Sequence, residues 1–333
     1  MSDEHNLFGE TTEALFRRFN EPVVTIESIK KWLSSFDDED KFAALLLLSH
    51  IEYHSQPRVM RETRLVHEQL LERLSMGRFD VKTFQDIDFS REFTCKSGDV
   101  VSFIYRKSNL IPNKNFKTFD QLIRETVNNP DMFKNRALVI LDDYIGTGSQ
   151  FIFHFIGENS EDARVINSYR KTYLVSYIIH EKALQNFRLL FDGKVEQFIM
   201  AEKEQFPDFD FTPEEETIRR NLTNLDWNKI ELVYLEIEKP LMSLDNKTLN
   251  DNEKRQIDRL LNKYKQEGYS GTSYLLGHHT FFFGAPNSLP RILWPLFNRV
   301  EDFSYTATPR PVDLNEDVIG YAIDNIDNEA GTQ

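Results

Sequence analysis

The sequence predicts an α/β fold, a doubly wound and mostly parallel sheet with a helical subdomain before it. Residues 137–141, Ala-Leu-Val-Ile-Leu, run without a polar break, as a central strand buried on both faces requires. Beyond them strand and helix patterns alternate over short connections: a strand at 172–179, a helix at 181–191 and a strand at 195–200. That alternation is the pattern of a parallel sheet with crossover helices.

Taken in order, the chain opens on a polar stretch in which Ala14, Leu15, Phe16 and Phe19 suggest a short amphipathic helix. Between residues 25 and 77 apolar residues recur at helical spacing. Ile26, Ile29, Trp32, Leu33 and Phe36 mark one helix, residues 42–54 a second, and Val59 through Leu74 a third, with a break expected at Pro57. His50 and His54 fall four apart on the second helix with no third ligand at readable spacing, so they read as structural histidines. Residues 80–94 read as irregular and residues 100–105 as a strand ending at Arg106 and Lys107. An Arg-Lys pair there suits a pyrophosphate, because Arg offers a planar fork and Lys a mobile ammonium. Residues 110–117, with Pro112, Lys114 and Lys117, read as a basic connector that could close over such a group. A helix at 119–127 leads to the central strand. Later come a charged insertion from about 201 to 267, a strand at 230–235 and an amphipathic helix at 250–267. The expected organisation is a helical subdomain at 1–80, an α/β domain at 81–300 and an acidic tail at 301–333.

The chain holds 54 Asp and Glu against 40 Lys and Arg, a formal charge of -14, which argues against wholesale coating of nucleic acid. Cys95 stands alone, so no intramolecular disulfide framework exists and a reducing compartment fits. No window approaches a membrane span in length, and the start of the chain lacks a basic segment followed by an apolar one. The expectation is a cytoplasmic protein with no membrane contact.

The chemistry concentrates where the central strand ends. Asp142 and Asp143 follow Leu141 at the edge where open α/β sheets bind ligands. Gly146, Thr147, Gly148 and Ser149 then let the backbone wrap an anion, and Gln150 opens an apolar run that could begin a buried helix whose N-terminus adds to a phosphate cradle. A second cluster lies at residues 275–295, where His278, His279, Asn287, Ser288, Arg291 and Trp294 stand among phenylalanines and prolines. It suits either a pocket for a planar base or partner, or a rigid connecting loop.

Residues 138–150 resemble the phosphoribosyltransferase pattern: a hydrophobic strand, two acidic residues, two further residues, then a small residue, Thr, Gly and more small or hydroxyl residues. The resemblance implies that Asp142 and Asp143 bind ribose hydroxyls directly or through Mg2+, and that Gly146 to Gln150 hold the 5-phosphate of phosphoribosyl pyrophosphate (PRPP). It also implies that Arg106 and Lys107 meet the pyrophosphate, and that the reaction occurs at the ribose anomeric carbon. Together with the Trp32 helix and the 275–295 segment, the chain from about residue 28 to 295 is similar to phosphoribosyltransferase-like effectors of bacterial conflict and antiphage systems, some linked to retrons. That likeness implies a defence role and a partner such as a reverse transcriptase with its nucleic acid. Self-association into a homo-oligomer stays open. Tyr144 and Gln150 stand where the pattern has a small aliphatic residue and Thr. They favour the alternative of an inactive nucleotide-sensing regulator; an interaction scaffold is the other.

Overall fold

The computed structural model describes residues 24–91, 97–157, 160–205, 215–245, 248–264, 275–281 and 289–297. The helix expected before residue 25, Cys95, Asn287, Ser288 and the acidic tail lie outside them, as do the side chains of Arg291 and Trp294. The elements in chain order are α1 (Ile26–Leu33), α2 (Lys41–Ser49), β1 (Glu52–His54), α3 (Gln56–Met76), β2 (Ile87–Arg91), α4 (Ser97–Ser108), α5 (Phe119–Asn128), β3 (Ala137–Leu141) and β4 (Tyr144–Ile145). A π-helical turn at Gln150–Gly157 follows, then α6 (Ser160–Ser168), β5 (Lys171–His180), α7 (Glu181–Phe191), α8 (Val195–Gln205), α9 (Glu215–Asn224), β6 (Ile230–Glu238), α10 (Asp251–Lys263), β7 (His279–Phe281) and α11 (Trp294–Phe297). No helix among the described residues is long and apolar enough to cross a membrane.

The described residues divide into two compact units, those between 24 and 59 with those between 238 and 297, and those between 60 and 237. This is not the contiguous division at residue 80 read from the sequence, because long-range pairing joins segments far apart in the chain. In the first unit α1 starts at a reciprocal cap: Thr25 Oγ1 accepts from the Ser28 N–H at 3.0 Å and Ser28 Oγ from the Thr25 N–H at 2.9 Å. It buries Ile29, Trp32 and Leu33 against α2, where Ala44, Leu47 and Leu48 are fully buried, and against Leu293 and Leu296. The Trp32 indole donates to the Ile292 carbonyl at 2.6 Å. The helix expected to run to residue 54 stops at Ser49, because Glu52–His54 pairs in parallel with β7 in the register Glu52↔His279 and His54↔Phe281. His50 and His54 therefore do not share a helix. Tertiary pairing overrides the local helical pattern here.

The second unit is the α/β body. Its sheet runs β2-β3-β5-β4 with every one of these pairings parallel, and β6 also pairs with β5. Every residue of β3 is buried, as is β5 from Thr172 to His180. The π-helical turn and α6 to α9 supply the apolar cover, including Ile152, Ile166, Phe187, Phe198 and Leu222. Pro57 does not break α3: it sits in the first helical turn, where its missing N–H has no partner to lose.

Three sequence expectations are corrected in this unit. Residues 100–105 belong to helix α4, not a strand: Val100, Val101, Ile104 and Tyr105 are buried at helical spacing, and that face outweighs their β propensity. Residues 195–200 likewise open helix α8, with Val195, Phe198, Ile199 and Glu202 forming the buried stripe. The stretch read as irregular contains β2, which pairs with β3 from Ile87↔Ala137 to Arg91↔Leu141. The basic connector is fixed along β2: the Lys117 N–H donates to the Phe89 carbonyl at 2.9 Å, and Asn115 Nδ2 to Ile87 O at 2.9 Å. The Phe116 ring stacks on Phe89 with centroids 5.2 Å apart. Lys117 Nζ is committed to Asp88 at 3.1 Å and Glu125 at 2.6 Å.

Candidate functional site

The acidic pair is held by β5 rather than hanging beyond a free strand end. The Asp142 N–H donates to the Val175 carbonyl at 2.9 Å, and the Asp143 carbonyl accepts from Ser176 Oγ at 3.0 Å and the Tyr177 N–H at 3.2 Å. Pairing with β5 resumes at Tyr144 and Ile145, opposite Ile178 and Ile179. Asp142 is half-buried and its Oδ1 accepts from the Asp143 N–H at 2.9 Å, while Asp143 is buried. Two hard oxygen donors thus sit at adjacent positions on the sheet, with Arg91 ending the neighbouring strand opposite Leu141.

Gly146 to Ser149 link β4 to the π-helical turn. Gly148 has φ +76°, a left-handed conformation, and a Cβ added there would stand 2.9 Å from Phe187 Cε2. Only glycine fits, for backbone and packing reasons together. Thr147 is buried; its Oγ1 accepts from the Ser149 N–H at 3.1 Å and its carbonyl from Asn186 Nδ2 at 2.9 Å. Ser149 Oγ donates to Glu202 Oε2 at 2.6 Å, and Asn186 Nδ2 also donates to Glu202 Oε1 at 2.9 Å. Glu202 is fully buried, and burial pushes its carboxyl above the ordinary range, opposed by the Ser149 hydrogen bond. Gln150 is exposed at the start of the π-helical turn. An acidic pair, a glycine-containing loop and a helical start follow one another along a parallel sheet, and the family comparison bears on that arrangement: residues 29–298 match PRTase-CE.

The chain belongs to the PRTase-CE family. The family is phosphoribosyltransferase-like, in agreement with the resemblance carried by residues 138–150. No curated protein and no solved structure matches the chain.

Within this PRTase-CE chain, Arg106 and Lys107 occupy the last turn of α4, both within 6 Å of the Phe103 ring, at 5.9 and 5.7 Å from its centroid. The position beside the acidic pair at the end of a strand belongs instead to Arg91. Sequence reasoning missed Arg91 because β2 is short and carries the buried Asp88. It missed Asn186 and Glu202 as well, although each is a polar residue on an otherwise apolar helix face, between Ala183 and Leu190 in one case and four residues after Phe198 in the other. That is a readable signal once 195–205 is taken as a helix.

His278 and His279 lie in the first unit with Glu238, His54 and Glu52. Glu238 Oε1 accepts the N–H of His278 at 2.5 Å and of His279 at 3.2 Å, and lies 3.4 Å from His278 Nδ1 and 4.0 Å from His279 Nε2. His54 Nε2 is 2.9 Å from His279 Nδ1. Burial lowers the pKa of both His278 and His279, holding the rings neutral at neutral pH. His180 caps α7, its Nδ1 accepting from the Lys182 N–H at 3.1 Å.

Proposed function

We propose that this chain binds PRPP or a related ribose 5-phosphate ligand at the loop Gly146 to Ser149 and acts at the ribose anomeric carbon. The observation that carries the reading is the succession of Asp142, Asp143 and a Gly148-dependent loop along one parallel sheet, in a phosphoribosyltransferase-like chain. Thr147 Oγ1, whose lone pair already takes the Ser149 N–H, keeps its proton to donate to the 5-phosphate. Asp142 and Asp143 orient the ribose hydroxyls. Their oxygen donors suit Mg2+, which when bound offsets the charge of the pyrophosphate. Arg91, Arg106 and Lys107 supply cationic charge toward that leaving group. Positioning and electrostatics carry most of the rate in such chemistry. Pyrophosphate release from PRPP should be lost in the Asp142→Asn, Asp143→Asn double variant with the fold retained; full release in that variant refutes the assignment.

A second reading, a sensor that binds the ligand without turning it over, is favoured by the Ser149 to Glu202 hydrogen bond. It turns a hydroxyl of the seat inward and sets a carboxylate behind it. Binding without pyrophosphate release selects this reading. The resemblance to conflict-system effectors supports a cytoplasmic antiphage role with a reverse transcriptase and its nucleic acid as partner. In that case phage plating on bacteria expressing the system should depend on Asp142 and Asp143.

A further inference from the structure

The geometry points to a transition-metal site in the first unit, a zinc-type cation held by Glu238 Oε1, His278 Nδ1 and His279 Nε2. It is independent of the phosphoribosyl reading, which uses none of these residues.

The three ligand atoms lie within 4.8 Å of one another, and all three residues are buried. Ligand atoms about 2.0–2.1 Å from a tetrahedral zinc ion stand roughly 3.4 Å apart. Glu238 Oε1 and His278 Nδ1 are already at 3.4 Å, and Glu238 Oε1 to His279 Nε2, at 4.0 Å, needs a contraction of about 0.6 Å. His278 Nδ1 is buried with no hydrogen-bond partner among the described residues, an arrangement that costs free energy unless something else takes its lone pair. Imidazole nitrogens with one carboxylate are the donor set of zinc and its neighbours rather than of Mg2+.

The support around the ligands is also in place. The His54 Nε2 to His279 Nδ1 contact at 2.9 Å fixes the ring so that Nε2 is directed to Glu238, the role of an outer hydrogen bond in metal sites. The Glu52 N–H donates to the His278 carbonyl at 2.7 Å, and both histidine N–H groups are anchored on Glu238, so the backbone that carries them is set. A competing grouping of Glu52, His54 and His279 is weaker, because Glu52 Oε2 already takes the Arg58 guanidinium at 3.1 Å. Segments far apart in the chain thereby converge: β1 brings His54, the end of β6 brings Glu238, and the entry to β7 brings both ligating histidines.

The test is a Zn2+ titration of the full chain after stripping with a chelator, in competition with a chromophoric chelator, with Co2+ absorption as a report on coordination. One zinc per chain is expected. His278→Gln and Glu238→Gln should each weaken zinc at least tenfold. His54→Ala should weaken it about 10- to 100-fold, the usual effect of losing an outer partner. The Asp142→Asn, Asp143→Asn variant should bind zinc as the wild type does. Circular dichroism of the stripped proteins checks folding; if Glu238→Gln unfolds, His278→Gln, at the more exposed ligand, decides. No zinc bound by the stripped wild type, equal affinity in His278→Gln, or zinc lost only with Asp142 and Asp143 overturns the proposal.

Discussion

Ser149 Oγ donates to the buried Glu202 Oε2 at 2.6 Å, which ties the last residue of the glycine-containing loop to α8. Asn186 completes the tie by donating to both Glu202 and the Thr147 carbonyl. The loop's conformation is therefore set from beneath by two helices, before any ligand arrives.

Replacing Glu202 with Gln keeps an acceptor for Asn186 and removes the charge. Because burial raises the Glu202 pKa, its protonated form favours the folded state. That contribution is complete below the ordinary glutamate range and is lost as pH rises through the raised value. Wild type should lose stability relative to Glu202→Gln over that rise, and the variant should bind ribose 5-phosphate more tightly at neutral pH. Paired thermal melts across pH and a binding titration check both; parallel melting curves would contradict the first.

Gly148→Ala should destabilise the chain by about 1–3 kcal/mol, since φ +76° disfavours a side chain and Phe187 occupies the space. Phosphate-ligand affinity should fall with it. Urea denaturation and calorimetry give the two numbers, and a neutral substitution would mean the loop relaxes without cost.

This much of the site was legible in the sequence. Residues 137–141 form an unbroken apolar run, Asp142, Asp143 and the small residues 146–149 follow it, and local chemistry alone marks them as a candidate. Strand β2 was not legible, because Asp88 interrupts its apolar pattern and becomes intelligible only with its partners. Helices α4 and α8 carry Val, Ile and Phe at positions that fit either period, so packing decides. The β1 to β7 pairing, which takes His54 from an expected helix to the side of His279, joins residues 225 apart and has no local signature.

Asp88 is itself a stability determinant. Its carboxylate takes Arg136 Nε at 2.7 Å and NH2 at 2.8 Å, Tyr169 OH at 2.9 Å and Lys117 Nζ at 3.1 Å, all around a fully buried residue. Arg136→Met should cost about 3 kcal/mol by leaving that charge under-compensated. Denaturant midpoints measure the loss, and Asp88→Asn in the same background should recover part of it.

His67 supplies a pH dependence of opposite sign. It is buried, with Nδ1 2.9 Å from Tyr105 OH, and burial lowers its pKa to about 4. The folded state thus binds the proton less well than the unfolded chain. Its contribution is complete above pH 6.5 and falls as pH drops toward 4, by up to about 3 kcal/mol. His67→Gln should flatten the acid limb of the stability profile, read by denaturation at pH 7 and pH 4.5.

Calorimetric titration with PRPP, with and without Mg2+, on wild type and Asp142→Asn tests the central claim most directly. Saturable, Mg2+-dependent binding that is lost in the variant is the predicted result. Absence of heat at millimolar PRPP, or binding indifferent to Asp142, would contradict it.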